Sequence, residues 1–103
     1  MKEIMLVCNA GMSTSMLVTK MQKAAEAKGI DAKIWAVSLS EVDENVKNNH
    51  IQLIMVGPQV KFVVKKLKEK FEPEIQVTDI AMVDYGRMDG EKVLSHALTM
   101  IGE

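Results

Sequence analysis

The hydrophobic positions of this chain form four short apolar runs, separated by segments with a helical pattern. The runs cover roughly residues 3–7, 32–37, 51–56 and 75–78. The third run is almost continuously apolar, as expected for a strand that is covered on both faces. The pattern therefore predicts four strands.

The segments between the runs repeat apolar residues at intervals of three and four, which predicts helices. The first stripe begins at Leu17, and Gly29 is placed to end that helix. Residues 40–43, Ser-Glu-Val-Asp, predict a capping box that opens a short second helix. A third stripe covers residues 60–71, and a last helix covers roughly residues 90–101. The third stripe has a lysine-rich opposite side that we expect to face solvent: Lys61, Lys65, Lys66, Lys68 and Lys70.

Strands that alternate with helices predict right-handed crossovers and a parallel sheet. We predict one α/β domain over residues 1–103, with a four-stranded parallel sheet of order 2-1-3-4 and helices on both faces. Ligands of such sheets bind beyond the carboxyl ends of the strands, where the strand order reverses. That point lies beside strand one. The same edge is expected to carry residues 38–40, 57–59 and 79–90.

Composition and charge exclude several classes of function. A chain of 103 residues has room for one core, and its net charge of −1 is unlike the basic footprint of a nucleic-acid binder. The single cysteine excludes an intrachain disulfide and a cysteine-based zinc site, and it indicates a reducing compartment. No apolar run approaches the length that spans a bilayer. We therefore expect a cytoplasmic protein that binds no nucleic acid and holds no metal through cysteines.

Cys8 is the strongest candidate for a reactive group. It stands where the first apolar run meets a small, hydroxyl-rich loop: Asn9, Ala10, Gly11, Met12, Ser13, Thr14 and Ser15. Backbone N–H groups of this loop and of the helix that follows would stabilise a thiolate and hold the oxygens of a phosphate. Most free cysteines are simply small buried hydrophobes. The position at the junction with a Gly/Ser/Thr loop favours a functional thiol.

The spacing of the loop resembles that of tyrosine phosphatases, with one important difference. In those enzymes an arginine six residues after the cysteine clamps the phosphoryl group. Here that position is Thr14, and the arginine of this chain is the distant Arg87. The loop therefore suits a protein that accepts a phosphoryl group on sulfur and keeps it for transfer. Three alternatives remain: thiol redox chemistry with an external thiol, flavin phosphate binding at residues 13–15, and a non-catalytic anion-binding or regulatory module.

Other residues of the same sheet edge are candidates for partner contacts. Met12 is predicted at a loop tip, where it has little to pack against within its own domain. Pro58 and Gln59 follow strand three, and Asp79 and Tyr85 follow strand four. We predict that these residues form the rim on which partners dock.

Several segments together resemble a known family. They are Cys8-Asn9-Ala10-Gly11-Met12-Ser13-Thr14-Ser15, Met16-Leu17-Val18, Gly57-Pro58-Gln59-Val60, Tyr85-Gly86 and Asp89-Gly90. The whole chain is similar to the IIB component of the bacterial phosphoenolpyruvate-dependent sugar phosphotransferase system, of the lactose/cellobiose class. The sequence of residues 10–15, Ala-Gly-Met-Ser-Thr-Ser, is closer to the cellobiose, chitobiose and lichenan branch of this class than to its lactose proteins.

The resemblance implies a phosphotransferase without a cofactor and with a fold similar to low-molecular-weight tyrosine phosphatases. Cys8 would take a phosphoryl group from a phosphohistidine of the IIA protein and pass it to the sugar that the membrane IIC component imports. Loop N–H groups and the hydroxyls of Ser13, Thr14 and Ser15 would hold the dianion. The protein would stay cytoplasmic and reach the membrane through IIC. A low-molecular-weight phosphatase or arsenate-reductase relative is the alternative of the same fold.

Overall fold

A four-stranded parallel sheet forms the centre of the molecule in a computed structural model, which describes residues 1–8 and 12–102. The strands are β1 (Lys2–Cys8), β2 (Ala32–Ser38), β3 (Leu53–Val56) and β4 (Gln76–Asp79). Their order is β2-β1-β3-β4, and each neighbouring pair is parallel. The predicted sheet and its strand order are confirmed.

The four predicted helices are present, and a further short helix after β4 was not predicted. The helices are α1 (Met12–Ala27), α2 (Val42–Asn48), α3 (Val64–Phe71), α4 (Met82–Gly86) and α5 (Gly90–Met100), with 3-10 turns at Leu39–Glu41 and Pro58–Val63. Gly29 follows α1 with a φ of 69°, a left-handed conformation that ends helices and that glycine adopts without strain. No helix within residues 12–102 is long and apolar enough to cross a bilayer.

The core lies on both faces of the sheet because side chains alternate along β1. Ile4 and Leu6 pack with α1 and α5 on one face, and Met5 and Val7 pack with residues of α2 and α3 on the other. All residues of β3 are buried, as the continuous third run predicts. Burial of each large apolar side chain contributes roughly 1.5–3 kcal/mol, so the two layers hold the sheet edges in fixed positions.

The capping box after β2 begins two residues earlier than predicted. The Glu41 carboxylate accepts hydrogen bonds from the backbone N–H of Ser38 at 2.9 Å and from the Ser38 hydroxyl at 3.0 Å. These bonds lower the pKa of the exposed Glu41 carboxyl. The prediction of a box that begins at Ser40 is wrong because β2 ends at Ser38, whose extended backbone opens the turn.

The third helical stripe is built from two kinds of helix. Residues 58–63 form the 3-10 segment, in which Val60 departs from helical backbone angles, and only Val64–Phe71 is α-helical. Val60 and Leu67 are nevertheless both buried. The lysines opposite the stripe are exposed, as predicted.

Gly90 allows α5 to pack closely against α1. A Cβ atom at this position would lie 2.5 Å from the carbonyl carbon of Lys20 and 2.6 Å from the backbone nitrogen of Met21. Real Cβ atoms do not approach backbone so closely. The first residue of α5 must therefore be glycine for the two helices to keep this separation.

Candidate functional site

Cys8 is the last residue of β1, at the carboxyl edge of the sheet beside the strand-order reversal. It is 3% exposed, and it pairs in register with Ser38 of β2. Its thiol donates a hydrogen bond to the carbonyl oxygen of Val37, with Sγ 3.6 Å from that oxygen. A thiolate would be repelled by this carbonyl.

Gly57 brings the segment after β3 next to Cys8. Its backbone N–H donates to the carbonyl of Val7 at 2.8 Å, and a Cβ at Gly57 would lie 3.9 Å from the Cys8 Cβ. A side chain longer than alanine would extend from that point beside the thiol. The structure thus brings together two of the segments that the sequence singled out, although Cys8 and Gly57 are 49 positions apart in the chain.

The candidate phosphate loop continues directly into α1. Asn9, Ala10 and Gly11 lie outside the described residues, as do the side chains of Met12 and Ser13. The backbone is helical from Met12 onward, so the prediction of a loop through Ser15 is wrong for its second half. Residues 12–15 are the first turn of a helix, and the N–H groups at the start of a helix favour an anion. Met12 therefore begins a helix rather than forming a loop tip.

Thr14 and Tyr85 form a buried pair beside this turn. Thr14 is 1% exposed, Tyr85 is 8% exposed, and their hydroxyl oxygens lie 3.1 Å apart, where either hydroxyl can donate. The prediction that Tyr85 is a partner contact puts it on an open rim, whereas the structure buries its ring in the core layer of α1 and α5. Local sequence pattern holds no signal for this pair, because 71 positions separate its members.

The other predicted rim residues reach the same edge by different elements. Pro58 is half-buried and Gln59 is exposed, both at the start of the 3-10 segment after β3. Asp79 is the last residue of β4, and it is half-buried. Their partner contacts stay a prediction.

Four large apolar side chains are exposed in the elements that follow the carboxyl ends of β1, β3 and β4. Phe62 is 77% exposed in the 3-10 segment after β3, and Met82 is 73% exposed in α4 after β4. Val83 in α4 and Met16 in α1 are also largely exposed. We call these four residues the apolar rim. Met82 and Val83 lie in the segment 79–90 that the sequence placed at this edge. The sequence reasoning missed Phe62, whose position off the Val60–Phe71 stripe indicates exposure.

The arrangement can hold a phosphoryl group next to a nucleophile. A thiol at the end of a central strand and the first turn of a 16-residue helix stand on either side of residues 9–11 in the chain. Within the described part of the chain, no group of three His, Cys, Asp or Glu side chains could hold a metal ion.

The family model "PTS system, Lactose/Cellobiose specific IIB subunit" matches residues 3–96. The match begins in β1 and ends within α5, so it includes Cys8 and all four strands.

Curated relatives are similar over nearly the whole chain. The oligo-beta-mannoside-specific EIIB component of Bacillus subtilis is 41% identical over 98% of this chain and 97% of that protein. The galactose-specific and cellobiose-specific EIIB components of Lactococcus lactis are each 42% identical over 93% of this chain and 93% of their own length.

Solved structures agree in fold. The cellobiose-specific IIB component of Borrelia burgdorferi has a TM-score of 0.78 and 40% identity, over 97% of this chain and 91% of that one. A mutant of Bacillus subtilis YwlE, of the low-molecular-weight phosphatase fold, has a TM-score of 0.60 at 11% identity over 100% of both chains. This second likeness confirms the predicted fold alone. The first, together with the family model and the curated relatives, shows that the chain belongs to the lactose/cellobiose-specific IIB family of the phosphotransferase system and is a phosphotransferase component.

Proposed function

We propose that Cys8 is the phosphoryl acceptor of this IIB component. The donor is a phosphohistidine of the IIA partner. The acceptor is a sugar of the cellobiose or chitobiose type, which the membrane IIC partner imports. The protein works on the cytoplasmic side and meets the membrane through IIC.

Two balanced steps make up the cycle. In the first, the Cys8 sulfur attacks phosphorus, the N–P bond of the phosphohistidine breaks, and the thiol proton ends on the imidazole nitrogen that leaves. In the second, a sugar hydroxyl attacks the phosphocysteine, the S–P bond breaks, and the hydroxyl proton restores the thiol. Little covalent chemistry is asked of the protein beyond the thiol, so positioning and charge stabilisation carry the catalysis.

The position of Cys8 is the observation that carries this proposal. It ends the strand beside the order reversal, where open α/β sheets bind ligands, and the adjoining segment runs into the N-terminus of α1. The partial positive charge of that helix end stabilises a dianion without an arginine. Thr14, at the position of the phosphatase arginine, leaves the site without the bidentate clamp that speeds transfer to water.

The apolar rim supports docking at this edge. Large exposed side chains such as Phe62 and Met82 are the kind that contribute most to protein interfaces when a partner covers them. Both follow the carboxyl ends of strands, on the side of the sheet where Cys8 lies. A phosphoryl group passes between two proteins only where both reach it, so donor and acceptor should each cover part of the rim.

Mass spectrometry of the intact chain tests the proposal. The chain is incubated with phosphoenolpyruvate and the general and IIA phosphocarriers, and we expect one added phosphate that maps to Cys8. The ³¹P resonance should be that of a phosphate bound to sulfur rather than to oxygen or nitrogen. Omission of IIA should prevent labelling.

Cys8→Ser is the matched control, because serine is nearly isosteric but provides no accessible anion at neutral pH. We expect it to accept no phosphate and to unfold at the temperature of the wild type. A serine variant that still supports sugar phosphorylation at a comparable rate would refute the assignment. Steady release of inorganic phosphate from aryl phosphates by the wild type would instead favour the phosphatase alternative.

A further inference from the structure

The buried hydroxyl pair of Thr14 and Tyr85 connects the phosphate-binding turn to the helix that carries part of the apolar rim. Thr14 lies in the first turn of α1, six positions after Cys8. Tyr85 lies in α4, a helix of five residues that also contains Met82 and Val83. The outer side of α4 is therefore exposed and apolar, and its inner side reaches the turn beside Cys8 through one hydrogen bond.

This bond is well suited to hold the turn in place. Both side chains are at least nine-tenths buried, so water has little access to replace either partner. A buried hydroxyl without a partner has lost its hydrogen bonds to water and gained none in the protein. This free-energy cost favours the paired geometry. The Tyr85 ring packs in the same core layer as Leu17 and Met21 of α1 and Leu94 of α5. The ring is thus a fixed support, and its hydroxyl is the contact that it makes with the first turn.

We propose that Tyr85 is a positioning residue for phosphoryl transfer, which acts through Thr14 by fixing the first turn of α1 against the phosphoryl group on Cys8. This inference rests on the function proposed above. It assigns α4 two sides with different tasks: Met82 and Val83 bind partners, and Tyr85 orients the phosphate site. Loss of the hydroxyl bond should lower the rate of transfer, whereas loss of the apolar rim should weaken partner binding.

The test uses the full chain with phosphorylated IIA and separates kcat from KM for transfer to Cys8. Tyr85→Phe and Thr14→Val each remove one hydroxyl and keep nearly the same shape. We expect each to lower kcat about 10-fold at unchanged KM, because a small misplacement of a phosphate-binding group costs rate. The rates are divided by the fraction of chains that accept phosphate, so that partial unfolding does not imitate the effect.

Two further variants make the expectation specific. Thr14→Ser keeps the hydroxyl and should retain a kcat near that of the wild type. The double variant Thr14→Val/Tyr85→Phe should be no slower than either single variant, because one bond can be lost only once. The ³¹P shift of the phosphocysteine should change in Tyr85→Phe and Thr14→Val and stay at the wild-type value in Thr14→Ser.

Thr19→Val is the matched control on the same helix. The Thr19 hydroxyl donates to the carbonyl of Ser15 at 3.1 Å on the exposed side of α1. Its removal should change neither kcat nor the ³¹P shift.

A wild-type kcat and ³¹P shift in Tyr85→Phe would overturn this inference, as would additive effects in the double variant. Either result would leave the proposed function intact, provided that the wild type forms phosphocysteine. A wild type that forms none would overturn both.

Discussion

The two ends of the parallel sheet are built in different ways. Backbone hydrogen bonds extend the sheet beyond the strands at both ends. At the amino end Lys2 N–H donates to Asp31 at 3.0 Å and Gln52 N–H to Glu3 at 3.0 Å, and at the carboxyl end Gly57 N–H donates to Val7 at 2.8 Å and Ile80 N–H to Val56 at 2.8 Å. At the carboxyl end, the chain passes from the strands into helix starts and short helices. At the amino end, turns and loop segments lead into β2, β3 and β4, so the two ends differ in the structures that join the strands.

The two ends also differ in the polarity of their exposed side chains. The carboxyl end carries Cys8 and the apolar rim, including Phe62 and Met82, whereas His50 and Gln52 at the amino end are exposed and polar. The amino end also holds α5, because the Gln76 side-chain amide donates to the carbonyl of Met100 at 2.7 Å. We therefore expect stability and function to be separable in this fold, and substitutions at each end can test that separation.

Gly90→Ala should have the largest effect, because it disturbs the packing of α1 on α5 that both ends depend on. The added methyl group would overlap the backbone of Lys20 and Met21, so the helices must move apart. We expect a loss of about 3 kcal/mol in the free energy of unfolding. Urea unfolding followed by circular dichroism measures it. Gly86→Ala, where a Cβ would meet nothing within 4 Å, is the control. Equal stability of the two variants would contradict the close approach.

Met82→Ser tests the carboxyl end. Removal of this exposed apolar side chain should leave the free energy of unfolding nearly unchanged, because it is 73% exposed in the free protein. It should raise KM for phosphorylated IIA or slow transfer to the sugar by about 10-fold, as for a central interface residue. Transfer kinetics with each partner measure the effect. His50→Ser at the amino end is the control, and a similar loss in both variants would remove the functional distinction between the ends.

Gln76→Ala tests the amino end. The variant leaves the Met100 carbonyl without its side-chain donor and should cost about 1 kcal/mol of unfolding free energy. Phosphoryl transfer should be unchanged, because the substitution lies at the end opposite Cys8. Gln59→Ala makes the same change at the carboxyl end, where Gln59 is exposed, and should leave stability unaltered. A slower transfer in Gln76→Ala at full stability would show that the two ends are coupled.

Glu41→Gln should have the smallest effect, and it should depend on pH. Hydrogen bonds from Ser38 lower the pKa of Glu41 below its usual 4.5, so the folded state prefers the charged form. The resulting stabilisation is complete above pH 4.5 and is lost as the pH falls through the lowered pKa. We therefore expect a small loss of stability in the variant at neutral pH that disappears in acid. Urea unfolding at neutral pH and at a pH below the lowered pKa measures this loss of stability. The exposed Glu44→Gln is the control. A stability difference between the wild type and Glu41→Gln that grows in acid would contradict the lowered pKa.

Much of the fold was predictable because local patterns report which faces are buried. Four apolar runs and the stripes between them indicate strands and helices, since side chains alternate in strands and return every three or four residues in helices. Chain handedness then reduces the arrangements to the parallel order that the structure has. Cys8 could be located at the carboxyl edge from its place at the end of one run. That part of the site needed no long-range information.

Tertiary structure alone decided the features that depend on how helices approach one another. The Thr14 and Tyr85 hydroxyls meet only because α4 packs beside the start of α1, and Gly90 is necessary only because α5 crosses Lys20 so closely. Sequence periodicity specifies which side of a helix is buried but neither its distance from a neighbour nor the partner of a buried hydroxyl. For the same reason the pattern predicts Tyr85 on an open rim and overlooks the exposure of Phe62. Such contacts join residues far apart in the chain, and packing of the complete core determines them.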